Sequence, residues 1–144
     1  FKDIADRHEQ VKDFAAKQDF NIDADNAPKY PILVINPTPV VLPKTDNGFT
    51  SLTMAFDLQV IDLVNKDNNN ELEVLSDTMQ IINDIINELS THPDYIEDGL
   101  EIVSDVTLEP LRGAYDSDVD GWKTSIEIMQ PNKRSYCSAP ITNK

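Results

Sequence analysis

Residues 51–89 read SLTMAFDLQVIDLVNKDNNNELEVLSDTMQIINDIINEL, and they contain a strand pattern, a polar turn and a helix pattern in succession. Apolar and polar residues alternate from Leu52 to Val60, which is the period of a strand with two different faces. The alternation slips near Ile61, which predicts a β-bulge, and the extended run continues to Val64. At 3.3 Å per residue such a strand is roughly 40 Å long, which exceeds the usual strand length.

The second half of this stretch predicts an amphipathic helix over residues 71–89. Asn70 is a favourable N-cap residue, and Glu71 and Glu73 fall in the first turn, where the helix dipole favours acidic side chains. A wide apolar stripe is typical of a helix packed on a sheet, and an exposed coiled-coil seam is the alternative. The stripe consists of Leu72, Leu75, Met79, Ile82, Ile86 and Leu89, widened by Val74, Ile81 and Ile85.

The flanking sequence predicts further elements of both kinds. Apolar residues at spacings of three and four predict a helix over residues 1–18, and Phe1 already belongs to that pattern, so we expect residues to precede it. Strands are predicted within residues 31–64, and then over about residues 100–109 and 122–130, with Pro110 and Gly113 ending the first of these two. Residues 131–144 form a mostly polar tail.

This order of elements predicts a single domain of the α+β class spanning residues 1–144. Consecutive strands with short connections favour a mostly antiparallel sheet, with the two main helices packed on it. The long strand at residues 51–64 is expected to extend partly beyond the compact domain as an arm.

The charge excludes some classes of partner. Lys and Arg total 12 against 26 Asp and Glu, which gives a formal net charge of −14. Such a surface repels phosphate backbones and anionic lipids, although an acidic lining also suits a channel through which DNA slides. No apolar run is long enough to cross a membrane. Cys137 is the only cysteine, so no intrachain disulfide can form, which is typical of a reducing intracellular compartment.

The sequence contains no recognisable catalytic motif. His8 falls on the apolar side of the first predicted helix and His92 in a turn that ends a helix, and neither has a local partner, so a structural role is expected for both. With 4 glycines in the chain, a phosphate-binding loop is hard to build. We therefore expect a protein that is not an enzyme and has no catalytic or cofactor-binding residues.

One segment matches a metal-binding pattern. Asp116, Asp118, Asp120, Gly121 and Glu127 occupy positions 1, 3, 5, 6 and 12 of a calcium-binding EF-hand loop. An EF-hand needs helices on both sides, whereas the residues after Gly121 alternate as a strand does. The favoured interpretation is an acidic turn leading into a strand, and the alternative is a binding module that depends on calcium.

Four segments together resemble the small neck and tail-completion (tail-terminator) proteins of tailed bacteriophages, over about residues 1–140. The segments are IADRHEQV (4–11), YPILVINP (30–37), the stretch 51–89 quoted above and VDGWKTSIEIMQ (119–130), of which VLSDTMQIINDII (74–86) is among the most specific. The resemblance implies a hexameric or dodecameric ring subunit of the virion, assembled in the host cytoplasm. It also implies other neck, portal or tail proteins as partners, DNA only as passing cargo, and no cofactor.

The length of the predicted strand favours an assembly interface within it, and the resemblance to ring-forming proteins agrees with such an interface. An unpaired strand end invites pairing with a neighbouring subunit, and head-to-tail contacts of that kind can close a ring. The alternative is that the whole segment lies within its own sheet. The residues expected at the interface are Leu58, Val60, Ile61, Leu63 and Val64.

Overall fold

The computed structural model describes residues 1–16, 28–40, 42, 44–45, 48–49, 51–65, 67, 69–113 and 118–132. The helices of this part of the chain are α1 (Lys2–Arg7), α2 (Glu71–Thr91) and α3 (Pro93–Glu97). The strands are β1 (Asp13–Ala16), β2 (Ile32–Pro37), β3 (Lys44–Thr45), β4 (Gly48–Phe49), β5 (Ser51–Leu63), β6 (Glu101–Ile102), β7 (Glu109–Leu111) and β8 (Val119–Pro131).

Six of these strands form one mostly antiparallel sheet in the order β1-β2-β5-β8-β6, with β7 also paired to β8. Its centre is the pair β5 and β8, which are antiparallel over 13 residues from Ser51 opposite Pro131 to Leu63 opposite Val119. β2 pairs with the other edge of β5, and β1 is parallel to β2. The predicted α+β class, with a mostly antiparallel sheet and two main helices packed on it, is confirmed.

Helix α2 follows the prediction closely in its bounds. It runs from Glu71 to Thr91, and His92 adopts an extended conformation before Pro93, as a residue preceding proline prefers. Asn70 is the N-cap residue, but its side chain makes no capping hydrogen bond. Its Oδ1 instead accepts from the Asn65 backbone N–H at 2.7 Å, and its Nδ2 donates to the Leu63 carbonyl at 3.3 Å. This side chain therefore ties the start of the helix to the end of β5.

The helix buries most of the predicted apolar stripe but not all of it. Leu75, Ile82 and Leu89 are buried as expected, together with the residues that widened the stripe. Leu72 and Met79, however, remain 80% and 45% exposed, so their prediction as core residues is wrong. Positions 72 and 79 lie at the edge of the apolar stripe. The side of the helix that faces the sheet is the one that carries Val74, Ile81 and Ile85.

The sheet has an apolar cluster on each face. The larger cluster lies between the sheet and both α1 and α2, and it includes Ile4, Leu58, Val60, Ile82 and Ile126. A smaller cluster lies on the opposite face. Its buried members are Ile32, Val34, Ile61 and Val119.

The covering of both faces explains why the bulge predicted near Ile61 is absent. Val60 belongs to the larger cluster and Ile61 to the smaller one, and both side chains are buried. The pairing of β5 with β2 and with β8 is continuous through these residues. Two adjacent apolar residues here reflect a strand that is buried on both faces, not an inserted residue.

The helix predicted over residues 1–18 is wrong beyond its first turns. α1 ends at Arg7, and Asp13–Ala16 form β1, while residues 17 and 18 lie outside the described residues. Phe14 packs against the larger cluster and Ala15 against the smaller one, so the apolar pair that looked helical places one side chain on each face of a strand.

The two later strands are predicted with unequal success. The strand predicted over residues 122–130 is confirmed and is longer, from Val119 to Pro131. The strand predicted over residues 100–109 is largely wrong, because β6 comprises only Glu101–Ile102. The Val103 backbone N–H still donates to the Glu127 carbonyl at 2.9 Å, and the next strand, β7, begins at Glu109. The Ser104 hydroxyl accepts the Glu127 backbone N–H at 2.9 Å, where a backbone carbonyl would continue the ladder. Of the predicted tail, residues 133–144 lie outside the described residues.

Candidate assembly surfaces

The interface expected at residues 58–64 does not lie on the surface. Leu58, Val60 and Ile61 are 0% exposed, and Val64 is also buried, so only Leu63 among the five expected residues is exposed. β2 and β8 occupy the two edges of β5 at Leu58, Val60 and Ile61. The predicted inter-subunit arm at this end of the strand is therefore wrong, because Leu58, Val60 and Ile61 are paired on both edges and buried within the chain.

The opposite end of the same strand does extend away from the core. The β2–β5 ladder and the short β3–β4 ladder share one register. In both, the residue numbers of paired residues add up to 93. Between the two ladders the Thr38 backbone N–H donates to the Ala55 carbonyl at 2.9 Å, which keeps that register. The described residues of this segment (38–40, 42, 44–45, 48–49 and 51–55) thus extend the β2–β5 hairpin, and we call them the arm.

The side chains of the arm whose exposure is described are less well covered than those of the core. No residue from Ser51 to Asp57 is fully buried, whereas Leu58, Val60 and Ile61 further along the same strand are. Val40 and Leu42 are each 53% exposed. From the level of Val60 to Ser51 the strand covers about 30 Å at 3.3 Å per residue. Met54 lies opposite Ile128, which still belongs to the larger cluster, so the arm carries apolar side chains away from the helix-covered core only beyond this level.

The arm and the adjoining strands are almost free of charge. Residues 30–43 and 47–56 contain no Asp, Glu, Lys or Arg, and neither do residues 128–132 at the end of β8. Residues 32–35 of the first stretch are buried at the other end of the sheet, opposite residues 58–61. The contrast with a chain in which 26% of residues are charged therefore concerns residues 36–43, 47–56 and 128–132. Exposed apolar side chains in uncharged surroundings are typical of a protein–protein contact.

The acidic segment does not form an EF-hand loop. Val119–Pro131 is one continuous strand, so Asp120 and Glu127 are separated by about 23 Å at 3.3 Å per residue. Asp120 is buried and its Oδ1 accepts from the Gly113 backbone N–H at 2.8 Å, while Asp118 and Glu127 are exposed. Asp116 lies outside the described residues. Within the described part of the chain, no group of three potential ligands could hold a metal ion.

Both histidines have local structural contacts. The Nδ1 atom of His92 accepts from the Asp94 backbone N–H at 3.3 Å and so caps α3. His8 is partly buried between α1 and α2, with its Nε2 3.7 Å from an Asp84 carboxylate oxygen. These contacts agree with the structural role expected for both residues.

A polar groove of about 370 Å³ lies on the face of the sheet that carries the smaller cluster. The Ser125 hydroxyl donates to Asp57, and Lys123 forms an ion pair with Glu109 at 3.0 Å. The polar side chains of the groove thus pair with one another. The Ser125 hydroxyl donates to a carboxylate and has no neighbouring histidine, which an activated nucleophile would need. The groove therefore offers no argument for catalysis.

Among the described carboxyl groups, Asp62 has the most clearly shifted pKa. Burial raises the pKa of Asp62 above its ordinary value, and the nearby charge of Asp77 raises it further. The Leu63 backbone N–H, which donates to Asp62 Oδ1 at 2.7 Å, acts in the opposite direction. Burial, and then the charge of Asp62, also raise the pKa of Tyr30.

Replacing Asp62 with asparagine is expected to raise the melting temperature at pH 7 but not near pH 4. Because the folded state holds the proton more tightly than the unfolded state, stability falls as pH rises from the ordinary pKa of 3.8 through the folded value. Asparagine avoids that penalty and still accepts from Leu63. Thermal unfolding at both pH values tests this, with exposed Glu97→Gln as a control that removes the same charge. An equal shift at both pH values would contradict the assignment.

Comparison with known proteins adds no relative. No protein-family model matches the chain, and no curated protein sequence matches it either. Within the described residues, no helix is both long enough and apolar enough to cross a membrane.

Proposed function

We propose that this chain is a structural subunit of a ring at the head–tail junction or tail terminus of a tailed bacteriophage, and that it acts by oligomeric assembly. The observation that carries the proposal is the arm, in which Val40 and Leu42 are exposed and belong to a stretch, residues 30–43, that contains no charged residue. An apolar hairpin that leaves the core has no evident use in an isolated subunit, but it can pack on another subunit.

The resemblance in sequence supports the same class of function. Strand β5 lies in the middle of the sheet and helix α2 packs on it, and the resemblance rests largely on these two elements. Homo-oligomers of this kind would be hexamers or dodecamers, with other neck, portal or tail proteins as partners in the virion.

The charge of the chain fits DNA as cargo but not as a ligand. A net charge of −14 on each subunit would surround a ring opening with negative potential. Phosphate groups are repelled by such a surface, so DNA would pass without binding tightly.

Native mass spectrometry over a range of protein concentrations tests the proposal. We expect a discrete species of six or twelve subunits, and co-purification with portal or tail proteins when the chain is produced together with them. A monomer at every concentration that also binds none of these partners would overturn the proposal.

A further inference from the structure

The two histidines of the chain use the same ring atom in the same way. The Nδ1 atom of His8 accepts from the Gln10 backbone N–H at 3.3 Å, and the Nδ1 atom of His92 accepts from the Asp94 backbone N–H at 3.3 Å. In each case the donor lies two positions after the histidine. A ring nitrogen can accept a hydrogen bond only while it carries no proton, so the single proton of each neutral ring is on Nε2.

Both Nε2 atoms face carboxylates of helix α2. The Nε2 of His8 lies 3.7 Å from an Asp84 oxygen, and the Nε2 of His92 lies 3.9 Å from a Glu88 oxygen. Asp84 and Glu88 are four positions apart, so they are neighbours on one side of the helix. Glu88 also forms an ion pair with Arg7 at 2.8 Å. Residues of α1 and the first residue before α3 therefore meet on the same stretch of α2.

The other charged groups near these rings come from α3 and β1. An Asp94 carboxylate oxygen lies 4.0 Å from the Nδ1 of His92. Strand β1, which also contacts α1, contributes Asp13, whose carboxylate accepts from the backbone N–H groups of Phe14 and Lys29. Each ring thus has an α2 carboxylate on its Nε2 side and a backbone N–H group on its Nδ1 side.

A second proton on either ring would change both contacts. Histidine is the side chain whose charge ordinarily changes between about pH 5 and pH 8. A protonated Nδ1 is a donor, so it can no longer accept from the backbone, and two N–H groups would point at each other. The cationic ring would at the same time attract the carboxylate that faces its Nε2 more strongly. The His8 side chain is only 15% exposed, which limits screening of its contact with Asp84.

We propose that His8 and His92 form a pH-dependent clamp on helix α2. When the rings gain a proton, they release the backbone N–H groups of Gln10 and Asp94 and are held more firmly by the α2 carboxylates. Because Arg7 already pairs with Glu88, protonation of His8 adds a second ion pair between α1 and α2, whereas α3 loses its N-terminal cap. Acidification thus fastens α1 and loosens the start of α3, whether or not the chain assembles into a ring.

Nuclear magnetic resonance between about pH 8 and pH 5 tests the clamp. The ring nitrogen shifts of the neutral histidines should show that Nδ1 is the unprotonated atom in both. As the pH falls, the backbone amide signals of Gln10 and Asp94 should move together with the ring signals of His8 and His92 respectively. A neutral ring with its proton on Nδ1, or amide signals that do not follow the rings, would overturn the proposal.

Each histidine is the matched control for the other. His8→Asn keeps a side-chain acceptor for the Gln10 N–H but gains no proton in this pH range. The Gln10 signal should then stop responding to pH while the Asp94 signal responds as before, and His92→Asn should give the reverse. A Gln10 signal that still responds in the first variant would show that nearby carboxylates are responsible, and the clamp would be wrong.

Asp84→Asn separates the ion pair from the turn. In the parent protein, backbone nitrogen relaxation should show α1 becoming more ordered as the pH falls, because protonated His8 is attracted to Asp84. Asparagine at position 84 should remove this change while the Gln10 signal still responds to pH. Asp77→Asn removes the same charge from an exposed position of the same helix and should behave as the parent does. An α1 that gains no order in the parent, or gains as much in the Asp84 variant, would overturn the proposal.

Discussion

Replacing Gly121 with alanine is expected to lower the free energy of unfolding by about 3 kcal/mol or more. Gly121 lies in β8 opposite Ile61. A Cβ atom there would collide with the Val60 carbonyl oxygen and would lie 2.8 Å from the Ile61 Cα. Both obstacles are backbone atoms of the central strand, so they cannot rotate away as the end of a side chain would. The two longest strands of the sheet would have to move apart at this point.

Urea denaturation of Gly121→Ala measures this loss, and Gly113→Ala is the matched control. Gly113 has a φ of +56° but no atom within 4 Å of a built Cβ, so alanine there bears only a conformational cost, of about 1–2 kcal/mol. We expect the Gly121 variant to be clearly the less stable of the two. Equal losses would mean that close approach of the backbones is not what requires glycine at position 121.

Replacing Ile82 with alanine is expected to cost about 3 kcal/mol, within the usual range for truncating a fully buried aliphatic side chain. Ile82 is completely buried in the larger cluster, between α2 and the sheet. The same substitution at Ile96, which is 56% exposed on α3, should change stability by no more than about 0.5 kcal/mol.

The midpoints and slopes of urea unfolding curves for the two isoleucine variants decide this prediction. An unchanged slope shows that the same surface becomes exposed on unfolding, so a lower midpoint then reports stability alone. If both variants lost the same free energy, α2 would not be the layer that holds the sheet together.

The elements that could be predicted from the sequence are those long enough to show a clear periodicity of apolar residues by themselves. Helix α2 spans nearly six turns with apolar residues on one side, and β8 alternates over many residues, so local periodicity is enough to identify both. The turn before α2 is also identifiable from the sequence, because it is a run of polar residues that ends in Asn70, a favourable N-cap residue.

The failures occur where long-range contacts decide the structure. Residues 13–16 are a strand because they pair with β2, a partner almost twenty positions away, and nothing in their own spacing indicates it. The apolar pair Val60 and Ile61 looked like a slip in phase because the second covered face of the sheet is not visible in a local pattern. Short apolar segments are ambiguous in this way whenever tertiary packing overrides periodicity.

The inter-subunit arm was expected at the wrong end of β5, because the length of the predicted strand indicates an unpaired end but not which of the two ends it is. The better signal was the absence of charge in residues 30–43 and 47–56. Buried strands are expected to be apolar in any fold, whereas exposed residues without charge in an acidic chain need a separate explanation. The exposure of Leu72 and Met79 could not be predicted, since their spacing is the same as that of the core residues beside them.

The pairing of β5 with β8 has a consequence for the order in which the chain folds. β2 and β5 are close in sequence and can pair early, but the partner residues of β8 follow β5 by 56 to 80 positions, with α2 between them. Contacts of such long range form slowly, because closing the intervening loop costs entropy before any pairing is gained. During synthesis one edge of β5 must therefore wait unpaired while the helix emerges. Repulsion between nascent chains of strong negative charge would limit their aggregation over that interval.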